Sequence, residues 1–110
     1  MIDIANLIKT TLKIPVIELF EPILPPCATW YPIVDTTGLA GDGKETEGIE
    51  GYQIDVWDRD KKEILVYGRM LKEALKANDE NVSIPELSYI YDTNGKMWHA
   101  MLTFYAIRKE

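Results

Sequence analysis

From Glu50 to Trp57 the chain alternates with period two, and from Ile64 to Leu75 it repeats at helical spacing. One continuous stretch must therefore leave a sheet and lay a helix back against it. Alternation sets Tyr52, Ile54 and Val56 on one face and Gln53, Asp55 and Trp57 on the other, because successive strand side chains point to opposite sides. Beyond the break, Ile64, Tyr67, Leu71, Ala74 and Leu75 form a single helical stripe. Asp58 or Asp60 is placed to cap that helix, and Asp60-x-x-Glu63 is close to a capping box.

The flanking segments read as additions to this strand and helix. Asp3 caps a first helix with the stripe Ile4, Leu7, Ile8 and Leu12, which ends before Pro15 because a residue preceding proline avoids helical dihedrals. A short strand is expected over Val16 to Phe20, and Pro22, Pro25 and Pro26 then impose an extended, turning connection. The next strand is expected over Ala28 to Thr36, with Pro32 marking it as an edge strand or placing that residue near a strand start. Residues 37 to 48 hold four glycines and almost nothing to bury, which predicts an exposed, mobile loop. After Asn78 comes a polar turn, and Leu87 to Tyr91 and Met97 to Ile107 then flank Asp92-Thr93-Asn94-Gly95, whose Asn-Gly pair signals a hairpin. With no regular alternation of strands and helices, nothing demands a parallel sheet. The fold class expected is α+β: a mainly antiparallel sheet packed against two helices, in a single domain over residues 1–110.

Length and charge narrow the function classes. A chain of 110 residues with 46% hydrophobic and 27% charged residues can bury one core without disulfides or metal. Its net charge of -6 argues against an electrostatically driven nucleic-acid binder, which needs a basic surface. Cys27 is the only cysteine, so no intramolecular disulfide can form and a reducing cytoplasm suits its synthesis. The acidic start Met1-Ile2-Asp3 is unlike a signal peptide, and no apolar run reaches the roughly 18 residues of a membrane span. A soluble, unprocessed protein is expected.

Four features could carry chemistry, and each has a plainer reading. Gly38-Leu-Ala-Gly-Asp-Gly43-Lys44 matches the first seven positions of a phosphate-binding loop. Glu45 then replaces the required hydroxyl, and a strand follows where a helix should open, so an exposed flexible loop is the better reading. His99 is the only histidine, which excludes metal sites built from several histidines; it fits a half-buried or interface position. Cys27 between Pro26 and Ala28 reads as a packing residue. Asp55, Asp58 and Asp60 cluster where a hard cation could bind, but capping and the helix dipole already account for Asp58 and Asp60. No catalytic residue, cofactor or metal is assigned, and a non-enzymatic protein is expected.

Two other features resist the plain readings. The final strand is apolar on both faces: Trp98, Ala100, Leu102, Phe104 and Ala106 on one, Met97, Met101, Tyr105 and Ile107 on the other, where His99 and Thr103 also lie. A monomer with helices on one face of its sheet needs only one apolar face. In the main helix Leu65 and Val66 lie off the core stripe, among Lys62, Glu73 and Lys76. Together these predict a homo-oligomer in which Leu65, Val66, Met97, His99, Met101 and Tyr105 contribute to subunit or partner contacts.

Tyr31-Pro32-Ile33-Val34, a variable polar loop, Tyr52-Gln53-Ile54-Asp55-Val56-Trp57-Asp58 entering a helix that ends near Ala74-Leu75, and Trp98-His99-Ala100-Met101-Leu102-Thr103-Phe104 after an Asp-x-x-Gly turn follow one another in this chain. That pattern, which covers most of the chain from Trp30 onward, resembles the tail-completion proteins of long-tailed bacteriophages, related to tail terminators and head-to-tail joining proteins. The resemblance implies an α+β domain assembled as a hexameric ring at the head-proximal end of the tail, with the loop from Gly38 to Gly48, including Gly41, Gly43 and Lys44, facing a partner or the ring lumen. It implies the tail-tube protein and a head-tail connector as partners, with DNA passing through the ring without specific binding and no membrane involved. The place of action would be the virion, assembled in the host bacterial cytoplasm. The alternative is a small adaptor or ligand-binding α+β module of a mobile element.

Overall fold

The computed structural model describes residues 3–39, 45–78 and 82–109. Helix α1 spans Ile4–Leu12, and strands β1 (Cys27–Leu39) and β2 (Glu45–Asp58) follow it. Helix α2 (Lys61–Asn78) and strands β3 (Glu86–Asp92) and β4 (Met97–Lys109) complete the chain. The four strands form one sheet in the order β1-β2-β4-β3, and every pairing is antiparallel. The expected α+β class is therefore what the chain adopts.

The ends of the helices are set by local hydrogen bonds. Asp3 Oδ1 accepts the Asn6 amide at 3.1 Å, and Lys13 closes α1 in the left-handed region with its amide donating to the Lys9 carbonyl at 2.9 Å. Such caps satisfy groups that have no partner inside the helix. Asp60 does the same for α2, its Oδ1 accepting the Lys62 amide at 2.9 Å, while Asp58 Oδ1 accepts the Asp60 amide at 2.8 Å.

Both helices cover one face of the sheet. Ile4, Ile8 and Leu12 of α1 and Ile64, Leu71 and Leu75 of α2 meet Ala28, Ile54, Val56, Ala100, Leu102 and Phe104 in a single buried cluster. At one end of that layer Trp30, Tyr52 and Phe104 pack ring to ring, with centroids 6.1 and 5.6 Å apart in turn. Gly68 lets α2 come down on β3, since a Cβ there would lie 2.7 Å from the Tyr89 hydroxyl and 3.1 Å from both methyls of Leu87.

Two stretches differ from expectation. Val16 to Phe20 forms no strand: Val16 makes one parallel bridge to Ala28, the Ile17 amide donates to the Ala28 carbonyl at 2.8 Å, and the chain then turns. The turn that closes from the Glu21 amide onto the Glu18 carbonyl, with Phe20 at positive φ, ends the pairing after Ile17. The loop expected at 37 to 48 is narrower, because β1 continues to Leu39 and β2 begins at Glu45. Backbone pairing such as Thr37 opposite Gly48 does not require apolar side chains, so composition misjudged where the strands end. The extra length makes the molecule elongated, 53 × 27 × 21 Å with a radius of gyration of 15.4 Å, where a compact chain of this size would have about 13 Å.

Candidate interaction surface

The other face of the sheet is where the structure departs from a self-sufficient domain. Register fixes what lies on it. Cys27, Trp57, His99 and Ile90 form one row across the four strands, Thr29, Asp55, Met101 and Ser88 the next, and Tyr31, Gln53, Thr103 and Glu86 the third. Beyond them Val34 and Tyr105 flank Gly51, and Ile49 faces Ile107. None of the core residues of either helix reaches this side.

At the centre sits a polar knot. Asp55 is only 6% exposed, and its Oδ1 accepts from Gln53 Nε2 at 2.9 Å and contacts His99 Nε2 at 3.0 Å. The His99 ring stacks on Trp57, centroids 4.7 Å apart and 16° from parallel. Burial, with the Asp55 charge adding to it, raises the Tyr31 hydroxyl pKa. Thr29, opposite Asp55 and 4% exposed, buries a hydroxyl that has no hydrogen-bonding partner. Cys27 is buried beside them, its thiol pKa raised by desolvation against the opposing effect of a hydrogen bond from the Leu24 backbone.

Around this knot the face is apolar and open. Ile90 is 51% exposed, Ile49 48%, Ile107 46% and Tyr105 43%. Gly51 is the floor beneath Val34 and Tyr105: a Cβ added there would lie 2.6 Å from Val34 Cγ1 and 2.8 Å from Tyr105 Cε1. A second exposed apolar element precedes β1, where Leu19 and Phe20 tip a turn closed by the Glu21 amide on the Glu18 carbonyl at 3.2 Å. Phe20 is fully exposed at φ 72°, and Ile23 and Leu24 are exposed behind it.

The structure sorts the interface residues expected from the sequence. His99 and Met101 are half-buried on the open face and Tyr105 is exposed on it. Met97 lies on that face but is buried by its own hairpin, its Cε 2.8 Å from where a Gly95 Cβ would sit. Val66 is exposed on α2, with Met70 one turn later, whereas Leu65 is half-buried against the core, so off-stripe spacing did not mean solvent there. Gly41, Gly43 and Lys44 lie outside the described residues. Of the three clustered carboxylates, Asp58 and Asp60 serve the α2 terminus, and Asp58 also accepts the Tyr67 hydroxyl, holding that phenol above its ordinary pKa together with burial, the largest cause. Asp55 faces the other way, toward His99. Among the described residues no group of three or more His, Cys, Asp or Glu side chains gathers to hold a metal, and no helix is long and apolar enough to cross a membrane.

The sequence reading missed three things: the apolar turn at 19–24, the Asp55–His99 contact and the role of Gly51. The contact joins residues 44 apart and requires the β2–β4 register. Alternation in both strands gave the faces but not the row.

No family model matches the chain, and no curated protein matches it. Among solved structures it is similar to a chain in the structure titled "Virion of native gene transfer agent (GTA) particle", with a TM-score of 0.57 and 13% identity over 100% of this chain and 87% of that one. At that identity the likeness shows a shared fold, extending from end to end of this chain.

Proposed function

We propose that this protein is a structural, non-enzymatic component of a phage-type virion, working as a homo-oligomeric ring that completes the tail tube and joins it to the head. The observation that carries the reading is a sheet with helices on one face, exposed apolar side chains on the other, and margins formed by β3 and by β1, the latter covered by residues 15–17 only at Ala28. Its full-length structural likeness to a chain of a virion particle supports the same setting.

The topology favours a closed assembly. In an antiparallel sheet of four strands the two margins, β1 and β3, run in opposite directions. A second copy in the same orientation can therefore set the part of its β1 beyond Ala28 beside β3 and continue the antiparallel ladder. Such head-to-tail contacts form rings when the rotation closes. The β3 margin lacks the usual safeguards against pairing, since Tyr89, Ile90 and Tyr91 are exposed and the strand carries charge only at its ends, Glu86 and Asp92. Val66 and Met70 add apolar surface on the outward side of α2. In this reading the ring is hexameric, one end contacts the tail-tube protein, the other contacts the connector, and DNA passes through. The acidic net charge of -6 disfavours retention of DNA there.

The experiment is to add the protein to its cognate tail-tube protein during polymerisation and measure tube lengths by electron microscopy. Shortened tubes with density at one end are expected. Unchanged lengths, with no association between the two proteins, would refute the tail role and favour an adaptor module.

A further inference from the structure

We infer that the uncovered face of the sheet, centred on Trp57, His99, Met101 and Tyr105, docks a basic apolar segment of a different protein. Composition and charge select the occupant together. The face carries Tyr31, Trp57, Met101 and Tyr105, residue types that concentrate at the buried centres of interfaces. Its charged residues are Asp55 in the middle and Glu86 and Asp92 along β3, and the one lysine that register sets on this face, Lys109, lies opposite Glu47 at the far end, four rows or more from that centre. His99, beside Asp55, is already engaged by it.

That charge pattern rules against the simplest alternative. Two copies laid face to face about a two-fold axis through the middle of the sheet would bring the two Asp55 carboxylates toward each other, and an axis across the strands would also set Glu86 opposite Asp92; like charges across an interface are disfavoured. Anionic lipid and nucleic acid meet the same objection. A segment carrying Lys or Arg beside apolar residues satisfies both halves of the surface: the apolar side chains cover Ile90, Tyr105 and Ile107, and the cations reach the β3 carboxylates and the aromatic rings. Edge-to-edge pairing of subunits leaves this face open, so the two contacts do not compete. The inference does not require the ring, and its test uses no tail protein.

The test uses two synthetic amphipathic peptides of equal length and hydrophobicity, one with Lys and Arg as its polar residues and one with Glu and Asp. Trp57 is the only tryptophan on the open face, since Trp30 and Trp98 pack against the core, so its fluorescence reports occupancy and Trp57→Phe should abolish the change. The basic peptide should bind with an affinity that falls as salt rises, and the acidic peptide should not. Glu86→Lys with Asp92→Lys should weaken binding at least tenfold, while Glu63→Lys with Glu73→Lys, exposed carboxylates on α2, should change it less than twofold. Equal loss from both pairs would mean that only overall charge is sensed, and would overturn the proposal. So would absence of binding, or a signal that persists without Trp57.

Discussion

Substituting Gly51→Ala adds one methyl group under the open face and tests how tightly that face is built. The new Cβ would lie 2.6 Å from Val34 Cγ1, 2.8 Å from Tyr105 Cε1 and 3.0 Å from Tyr105 Cδ1. Two effects oppose each other. Removing a glycine from a strand interior stabilises by about 0.5–1 kcal/mol through lost unfolded-state freedom, whereas overpacking costs about 1–3 kcal/mol. Because β2 is a central strand, with β1 and β4 on either side, it cannot simply move away. A net loss of about 0.5–2 kcal/mol should result, which lowers Tm by roughly 2–9 °C for a domain of this size. Thermal and urea unfolding measure it. The decisive comparison is the same substitution in a Val34→Ala, Tyr105→Ala background, where the obstructing atoms are gone and Gly51→Ala should become neutral or stabilising. If Gly51→Ala raises Tm in the otherwise unaltered protein, Val34 and Tyr105 do not close over Gly51 and the description of that face is wrong.

Other outcomes follow from the same geometry. Thr29→Val replaces a buried, unpartnered hydroxyl with a methyl group of similar shape, and should stabilise by about 1 kcal/mol in urea unfolding; destabilisation would reveal a partner for that hydroxyl. Asp3→Ala removes the carboxylate that accepts the Asn6 amide and should cost about 1 kcal/mol, seen as a lower urea midpoint, with Asp3→Asn restoring most of it. Leu102→Ala, at a fully buried position in the core cluster, should cost about 2–5 kcal/mol, and an intact unfolding midpoint would contradict the placement of the core. Cys27, Tyr31, Tyr67 and Tyr89 all have raised pKa values, burial being the largest cause for each. Each ionises more readily in the unfolded chain, so the stability they contribute is complete below pH about 8.5 and declines as pH rises through the thiol and phenol range. Urea midpoints that hold constant from pH 8 to 11 would contradict this.

The fold was legible where side-chain period reports burial. Alternation in β2 and β4 and the stripes of α1 and α2 correspond to the observed core because one face of each element is covered. The Asn-Gly signal placed the last hairpin, where the Asn94 amide donates to Asp92 Oδ1 at 3.0 Å. Strand ends were less legible, since Thr37 to Leu39 and Glu45 to Gly48 pair through their backbones in a stretch whose composition resembles a loop. The site divides in the same way. Two apolar faces on β4 were evident from spacing, and the open face is there. The Asp55–His99–Trp57 cluster was hidden because it depends on which residue of β2 sits opposite which of β4. Leu65 is partly buried against the core cluster, which a position about 100° from the helical stripe did not reveal. Phe20 could have drawn notice as an aromatic residue between two glutamates and before three prolines, a poor context for a strand.

The central claim is that this chain assembles with itself through the margins of its sheet. Its most direct test is the mass of the particle in solution, by mass photometry and native mass spectrometry across concentration, for the unaltered protein and for Ile90→Lys with Tyr91→Lys. Both substituted side chains are exposed, so the fold should survive. The account predicts a closed species at six times the 12.6 kDa chain mass, either alone or on adding tail-tube protein, and its loss in the β3 variant. A strict 12.6 kDa monomer under both conditions, or an oligomer indifferent to two lysines on β3, would contradict it.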